Sequence, residues 1–453
     1  MTTPKELTGW LNAPVPRYTS YPTAVQFGPA DEALARSAYR EQITDGSPVS
    51  LYLHLPFCKS LCWYCGCATV ITRKQDQSDR YIDYLEKEIL LLKRDLHPGH
   101  RVVQIHFGGG TPNFLTAAQL ERLMLLLEKH FNYAQEVEFG VEFDPRGLDR
   151  DQIVVLAAHG LNRASIGIQD VNPVVQEAIH RIQPEQMNMN AIAMLRGAGI
   201  NSINTDLIYG LPHQTPDSYN ETIDAVLRMD PDRITTFGYA HVPWMKPAQK
   251  LLDPEALPGP EVRLELLQTG ILRFTEAGYR FIGIDHFAKP GDELSRAQDA
   301  GKLHRNFQGY STHSGVSIIG LGMTSISQLP VVYLQNARDL DDYYRMLDEG
   351  RLPVIKGYRL NDDDIIRRDV IMTLMCGLEL QFDRIEEKYN ITFTDYFSEE
   401  LEKMEPFRLK GLLVTGSDHI RVTETGRLFV RNLVHPFDRY SRTISRNVYS
   451  KSV

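Results

Sequence analysis

The sequence predicts an α/β fold: six consecutive strand–helix units forming a parallel sheet, followed by a separate, mainly helical C-terminal unit. Three observations carry this. Between residues 50 and about 240, short β-rich runs alternate with segments whose apolar residues recur at three- and four-residue steps. The glycine-rich turns and isolated polar residues gather at the ends of the β-rich runs. From roughly residue 335 onward, helical periodicity dominates.

The predicted strands cover residues 50–55, 102–107, 137–142, 163–169, 202–208 and 233–240. Amphipathic stretches such as Tyr81-Ile-Asp-Tyr-Leu-Glu-Lys-Glu-Ile-Leu90 and Leu120-Glu-Arg-Leu-Met-Leu-Leu-Leu-Glu-Lys129 separate them, and Gly160, Gly197 and Gly199 stand where helices should end. Consecutive βα units imply a parallel sheet with right-handed crossovers. An open doubly wound sheet and a partly closed barrel both satisfy that pattern. The strand ends favour the barrel, whose active site forms where the carboxyl ends of the strands meet. A cysteine loop follows the first strand and Gly108-Gly-Gly-Thr-Pro112 the second. Glu142 and Gln169 end the third and fourth, Asp206 lies late in the fifth, and Tyr239-Ala-His241 closes the sixth.

Beyond residue 240, prolines 243, 247, 254, 258 and 260 mark an irregular connection to a helix over 261–277 and an apolar run over 279–284. A glycine-punctuated stretch, 318–327, comes next. Helices are then expected at 340–348, 363–376, 382–389 and 398–409, a hairpin at 413–422 and a last helix from near Thr425. The expected division is 1–46, 47–330 and 331–453.

Length and composition set further bounds. A chain of 453 residues needs two or three units. With 42% hydrophobic and 24% charged residues it affords a large core. A net charge of −9 without a Lys/Arg run argues against nucleic acid and anionic membrane as partners. Met-Thr-Thr-Pro-Lys-Glu-Leu lacks the layout of a signal peptide, and no apolar stretch is long enough to span a bilayer. Four of the five cysteines share one loop, which suits a reducing compartment. A soluble cytoplasmic protein is expected.

That loop carries the chemistry. Cys58, Cys62 and Cys65 follow Leu51-Tyr-Leu-His-Leu-Pro56 in a C-x3-C-x2-C spacing. Structural zinc usually takes four ligands in two pairs, and short-loop disulfides are strained, so an iron–sulfur cluster is the better reading. Three thiolates leave one iron of a 4Fe–4S cube open. Cys67, two residues past Cys65, is read as a non-ligand, because so short a backbone reaches another corner poorly. The spacing resembles the signature of radical S-adenosylmethionine (SAM) enzymes, whose open iron takes the amino and carboxylate groups of SAM. The aromatic Tyr64 can pack over an adenine or shield the cluster from water. Backbone at Gly108–Gly110 can approach SAM closely, and Glu142 can accept from its ammonium. Asp206 sits among apolar residues and needs a partner, for which ribose hydroxyls qualify. Arg181 can hold a carboxylate bidentately or lie on a helix surface. Cys376, in an apolar helix, reads as a small buried side chain.

Further segments make the resemblance more specific. Arg17-Tyr-Thr-Ser-Tyr-Pro-Thr23, Cys58-Lys-Ser-Leu-Cys-Trp-Tyr-Cys-Gly-Cys67, His106-Phe-Gly-Gly-Gly-Thr-Pro112, Ser165-Ile-Gly-Ile-Gln-Asp170, Ile208-Tyr-Gly-Leu-Pro212, Tyr239-Ala-His-Val-Pro243, Asp285-His-Phe-Ala288, His304-Arg-Asn-Phe-Gln-Gly-Tyr310 and Ile366-Arg-Arg-Asp-Val370 resemble those of the oxygen-independent coproporphyrinogen III oxidases over nearly the full length. That family is part of the radical SAM superfamily. The resemblance implies an incomplete six-unit (β/α) barrel with an N-terminal arm and a helical C-terminal domain. It implies a 4Fe–4S cluster on Cys58, Cys62 and Cys65, with Cys67 free of it, and two SAM molecules. Tyr52, Gly109, Glu142 and Ile326 match contacts to the cluster-bound SAM. Tyr64, Gly110, Thr111, Gln169, Arg181, Asp206 and Ala240 match contacts to the second. The implied reaction is oxidative decarboxylation of two propionates of coproporphyrinogen III to vinyl groups, giving protoporphyrinogen IX. An electron donor such as flavodoxin or ferredoxin and a monomeric state are implied as well. Arg17, Arg73 and Arg305 are candidates for the substrate carboxylates by residue type alone. A related haem chaperone and a tetrapyrrole methyltransferase share parts of the pattern; the C-G-C ending, the 17–23 segment and Arg367-Arg-Asp369 count against the chaperone.

Overall fold

Period-two burial along the strands shapes the barrel, as seen in a computed structural model that describes residues 14–442. The six predicted strands are β1 (Pro48–Leu55), β2 (Arg101–Gly109), β3 (Tyr133–Phe143), β4 (Arg163–Gln169), β5 (Ser202–Tyr209) and β6 (Arg233–Gly238). They lie side by side in that order, all parallel. On β4, Ala164, Ile166 and Ile168 are buried; on β5, Ile203, Thr205 and Leu207 are. The residues between them (Arg163, Ser165, Gly167 and Gln169; Ser202, Asn204 and Asp206) line a cavity on the opposite face. Successive side chains on a strand point to opposite faces. The apolar set therefore meets the helices and the polar set the barrel interior.

A helix follows each strand: Asp76–Leu92, Ala117–His130, Arg150–Ala158, Glu185–Gly197 (after the short Pro173–Ala178), Pro216–Met229 and Pro260–Glu276. Capping boxes start three of them, Thr116 with Gln119, Asp149 with Gln152 and Thr215 with Ser218, satisfying amides that the first turn leaves open. The first helix buries Tyr81, Ile82, Leu85, Ile89 and Leu92 on one stripe against the sheet.

The sheet is larger than the sequence suggests. A seventh parallel strand, β7 (Ser317–Leu321), pairs with the outer side of β1, Ser317 opposite Val49 and Leu321 opposite Leu53. Antiparallel strands Ile326–Gln328, Val332–Asn336, Val354–Arg359 and Gly28–Pro29 extend that edge, and His286–Ala288 and Arg280–Gly283 extend the other beyond β6. The thirteen strands form one open sheet, with no pairing between its edges among the described residues. The expected boundary at 330/331 therefore falls inside the sheet. The runs at 317–321, 332–336 and 354–359 are too short for periodicity to separate strand from helix.

Helices Leu340–Asp348, Asp362–Gly377, Phe382–Tyr389 and Ser398–Leu409 match expectation, as does the hairpin of Leu413–Thr415 and His419–Val422, which Glu379–Gln381 completes as a third strand. The last helix is short: a 3₁₀ turn, Gly426–Phe429, then Val430–Val434. Cys376 is buried, which pushes its thiol up to about 12. The arm ties the parts together. Arg17 reaches the Gly238 carbonyl at the end of β6 (3.1 Å), Tyr18 donates to Asp438 (3.1 Å), and Arg431 donates to the carbonyls of Val15 and Pro16. The opening heptapeptide lies outside the described residues. No helix among them is long and apolar enough to cross a membrane.

Candidate active site

The cysteine loop is clamped from three sides at the carboxyl ends of the strands. On the first side, the glycine turn after β2 zips to it: Gly110 N–H donates to Leu55 O (2.9 Å) and Thr111 N–H to Phe57 O (3.0 Å). A Cβ on Gly110 would stand 2.5 Å from the Pro56 carbonyl, so only glycine permits this approach. Gly109 holds φ +111°, and its missing side chain leaves room for the His54 ring. On the second side, Trp63 stacks on His180 (5.2 Å between rings), while Trp63 N–H donates to Ile179 O and His180 Nδ1 lies 2.8 Å from Leu61 O. On the third, the segment after β6 supplies Lys246 Nζ to Cys67 O (3.1 Å) and Gln249 Nε2 to Tyr64 O (3.0 Å).

Cys58, Cys62 and Cys65 all line the cavity, which measures about 430 Å³. Each thiol has its own surroundings. Cys58 Sγ lies 3.3 Å from Thr111 Oγ1, and burial pushes its thiol up to about 11. Cys62 Sγ accepts from Arg146 Nη2 (3.3 Å) and Arg181 Nη1 (3.6 Å), two guanidinium groups bridged by Asp144. Cys65 is drawn down to about 6, chiefly by the Cys67 thiol hydrogen-bonding to it. Among the described residues, no group of three or more His, Cys, Asp and Glu side chains gathers as it would around a single metal ion. A cube that takes one thiolate per iron does not require such convergence. The donor set, the adjacent cations and the side-chain-free turn fit an anionic cluster with a small zwitterion beside it.

Of the residues expected to contact SAM, Tyr64, Gly109, Gly110, Thr111, Glu142, Gln169, Arg181 and Asp206 line this cavity. Tyr52, Ala240 and Ile326 do not. Tyr52 stacks behind His106, Ala240 O accepts from Gln249, and Ile326 packs with Phe27 and Tyr333 beyond β7. Glu142 stands on the cavity wall 3.0 Å from His106 Nε2. Burial would raise its carboxyl, but the hydrogen bond and charge of His106 and the Gly109 amide outweigh that and hold it low. Asp206 has protein partners, Ser165 Oγ (2.7 Å) and Asn204 Nδ2 (2.8 Å), and burial still pushes it up to about 6. Gln169 sits at φ +69° beyond a register shift between β4 and β5, a conformation costly for a non-glycine residue and typical of functional positions.

His106, Asp144 and Arg146 join the site without having been singled out from the sequence. His106 stands two residues before the glycine turn, and Arg146 two after Asp144. Their proximity to those motifs was the available signal; their partners, Glu142 and Cys62, are set by the fold. Of the candidate substrate arginines, Arg17 is engaged with Asp285 (3.4 Å) and Arg73 is exposed, whereas Arg305 is buried at the wall of a second cavity.

Residues 52–226 match the family model described as the radical SAM superfamily, and residues 360–429 match the HemN C-terminal domain. The oxygen-independent coproporphyrinogen III oxidase of Helicobacter pylori strain J99 is 43% identical over 433 residues, 95% of each chain. The enzyme of that name from Escherichia coli K12 is 42% identical over 95% of this chain and 94% of its own. The chain belongs to the oxygen-independent coproporphyrinogen III oxidases. The solved coproporphyrinogen III oxidase HemN of Escherichia coli, a radical SAM enzyme, superposes with a TM-score of 0.88 at 42% identity, covering 94% of this chain and 97% of that one. The oxidase family thus has the partial barrel seen here, and membership of the radical SAM superfamily implies SAM and a 4Fe–4S cluster.

Proposed function

We propose that the protein decarboxylates two propionates of coproporphyrinogen III oxidatively to vinyl groups, giving protoporphyrinogen IX in anaerobic haem biosynthesis. The observation that carries this is the convergence of three cysteines, a glycine turn and Glu142 on one cavity, in a chain that matches named oxidases nearly end to end. Cluster and SAM, when bound, supply the carbon radical that removes a hydrogen from the propionate β-carbon; loss of carbon dioxide and one electron completes the vinyl group.

The chain's own residues orient, charge and seal the site. Cys58, Cys62 and Cys65 hold the cluster, and Arg146 and Arg181 offset its negative charge at Cys62. Glu142, kept ionised by His106, receives the SAM ammonium beside Gly109, with Tyr52 and Ile326 supporting that side. Tyr64, Gly110, Thr111, Gln169, Arg181, Asp206 and Ala240 serve a second SAM molecule. Asp206, near its titration point at neutral pH, accepts from ribose hydroxyls when ionised. The arm or the C-terminal unit closes over the mouth as a lid. The reading extends to three units (an arm, a barrel with its extension and a C-terminal domain), a flavodoxin- or ferredoxin-like donor, a monomer and a cytoplasmic location. Anaerobic incubation of the reconstituted enzyme with SAM, reductant and coproporphyrinogen III tests the substrate. Mass spectrometry should find a tetrapyrrole lighter by two molecules of carbon dioxide and four hydrogens; SAM cleavage without that product rejects it.

A further inference from the structure

A second cavity, about 700 Å³ in volume, opens between the 304–311 hairpin, the arm at Thr19 and Ser20, and helices Asp362–Gly377 and Phe382–Tyr389. Its charge is opposite in sign to that of the whole chain. Lys302, Arg305, Arg368, Arg384 and Lys388 line it, against Asp369 and Glu379. Asp369 is already taken by Lys388 (2.6 Å) and Tyr389 (3.0 Å).

Arg305 is the anomaly. It is 4% exposed, and neither Nε nor Nη1 has a hydrogen-bond partner among the described residues. Its guanidinium rests over the Tyr310 ring, 4.8 Å from the centroid. A buried cation without an anionic partner is unfavourable, and proteins seldom keep one that no ligand completes. The 304–311 hairpin also joins the two cavities. Arg305 pairs across it with Tyr310; His304 and Arg305 face the second cavity, while Gln308, Tyr310 and Ser311 face the first.

We propose that the second cavity takes the carboxylated edge of the tetrapyrrole, and that Arg305 binds a propionate which the reaction leaves intact while another reaches the first cavity. The assignment rests on the coproporphyrinogen reading. It makes the hairpin the partition between the substrate's anchoring edge and its reacting edge. Arg305 suits the task because a planar guanidinium pairs with a carboxylate through two parallel hydrogen bonds.

The test uses the anaerobically reconstituted full-length enzyme, wild type against R305M and R305K. Each is titrated with coproporphyrin III, whose fluorescence reports binding, and with its tetramethyl ester. R305M should bind the acid roughly 10- to 100-fold more weakly, bind the ester as wild type does, and raise KM for coproporphyrinogen III by a similar factor with iron content unchanged. R305K should recover part of the loss. Without ligand, R305M should melt higher than wild type, because an unpaired buried charge has been removed, and coproporphyrin III should raise the melting temperature of wild type more than that of R305M. Equal loss of affinity for acid and ester, an unchanged KM, or an R305M protein that melts lower without ligand would each overturn the assignment. Failure of wild type to convert coproporphyrinogen III would fall on the reaction itself.

Discussion

Cys62 sits in the most strongly charged part of the loop, because Arg146 and Arg181 both reach its sulfur and Asp144 fixes both guanidiniums. Hydrogen bonds and positive charge at cluster sulfurs raise the reduction potential. Replacing Arg146 with Gln should therefore shift the cluster's midpoint to a more negative value in an EPR-monitored redox titration, with iron content retained. An unchanged midpoint would show that Arg146 serves only to brace Asp144. Cys67 differs from its neighbours: it is exposed, and its amide and thiol turn back onto Cys65. Serine at Cys58, Cys62 or Cys65 should abolish stable iron binding, whereas Cys67→Ser should keep the wild-type iron count. The three cysteines proposed as ligands stand out by spacing alone. The Asp144–Arg146–Arg181 network does not, since Arg181 lies 119 residues from Cys62 in the chain and only the fold brings them together.

At the scale of elements, the joint between the glycine turn and the cysteine loop should be the most sensitive to small changes. Gly110→Ala places a methyl 2.5 Å from the Pro56 carbonyl, so one loop must retreat from the other. A displacement of about 1 Å at a reacting centre can cost about 100-fold in rate, and a loss of that order in SAM cleavage is expected with little change in melting temperature. Another joint is electrostatic. Glu88, on the first barrel helix, is 3% exposed and accepts from Tyr343 Oη (2.7 Å), Gly322 N–H (2.8 Å) and Asn336 Nδ2 (2.6 Å). It thereby ties that helix to the turn after β7, the strand ending at Asn336 and the helix Leu340–Asp348. Burial pushes its carboxyl up to about 7 despite those donors. A raised carboxylate pKa means the folded state binds the extra proton, so stability is greatest below the ordinary value of 4.5 and falls as pH rises through 7. The loss should be on the order of 3 kcal/mol. Urea unfolding at fixed pH should show that slope in wild type, and Glu88→Gln should flatten it. The six parallel strands could be read from alternation, because each is long enough to show its period and ends in an unusual residue. β7 could not: Ser317–Leu321 is buried at every position, so it carries no alternation, and only its register with Val49–Leu53 identifies it.

For the molecule as a whole, the arm holds barrel and C-terminal unit together through contacts that include Arg17 at β6, Tyr18 at Asp438 and His435, Tyr21 at Arg439, and the 15–16 carbonyls at Arg431. Removing residues 1–23 should raise amide hydrogen exchange across 426–442 far more than across β1–β5, whose parallel ladder is independent of the arm. Uniform protection across both regions would assign the arm no such role. The site was legible at this scale because strand ends converge in any such barrel, whatever their spacing in sequence. The second cavity was not, since its walls come from three distant segments. All of the chemistry proposed for the first cavity requires one iron that no residue of the chain ligates. Mössbauer spectra of anaerobically reconstituted, iron-57-labelled protein test this directly. One of the four irons should change its isomer shift when SAM is added, in wild type and in Cys67→Ser alike. A spectrum that SAM leaves unaltered, or that responds only once Cys67 is removed, would contradict the account.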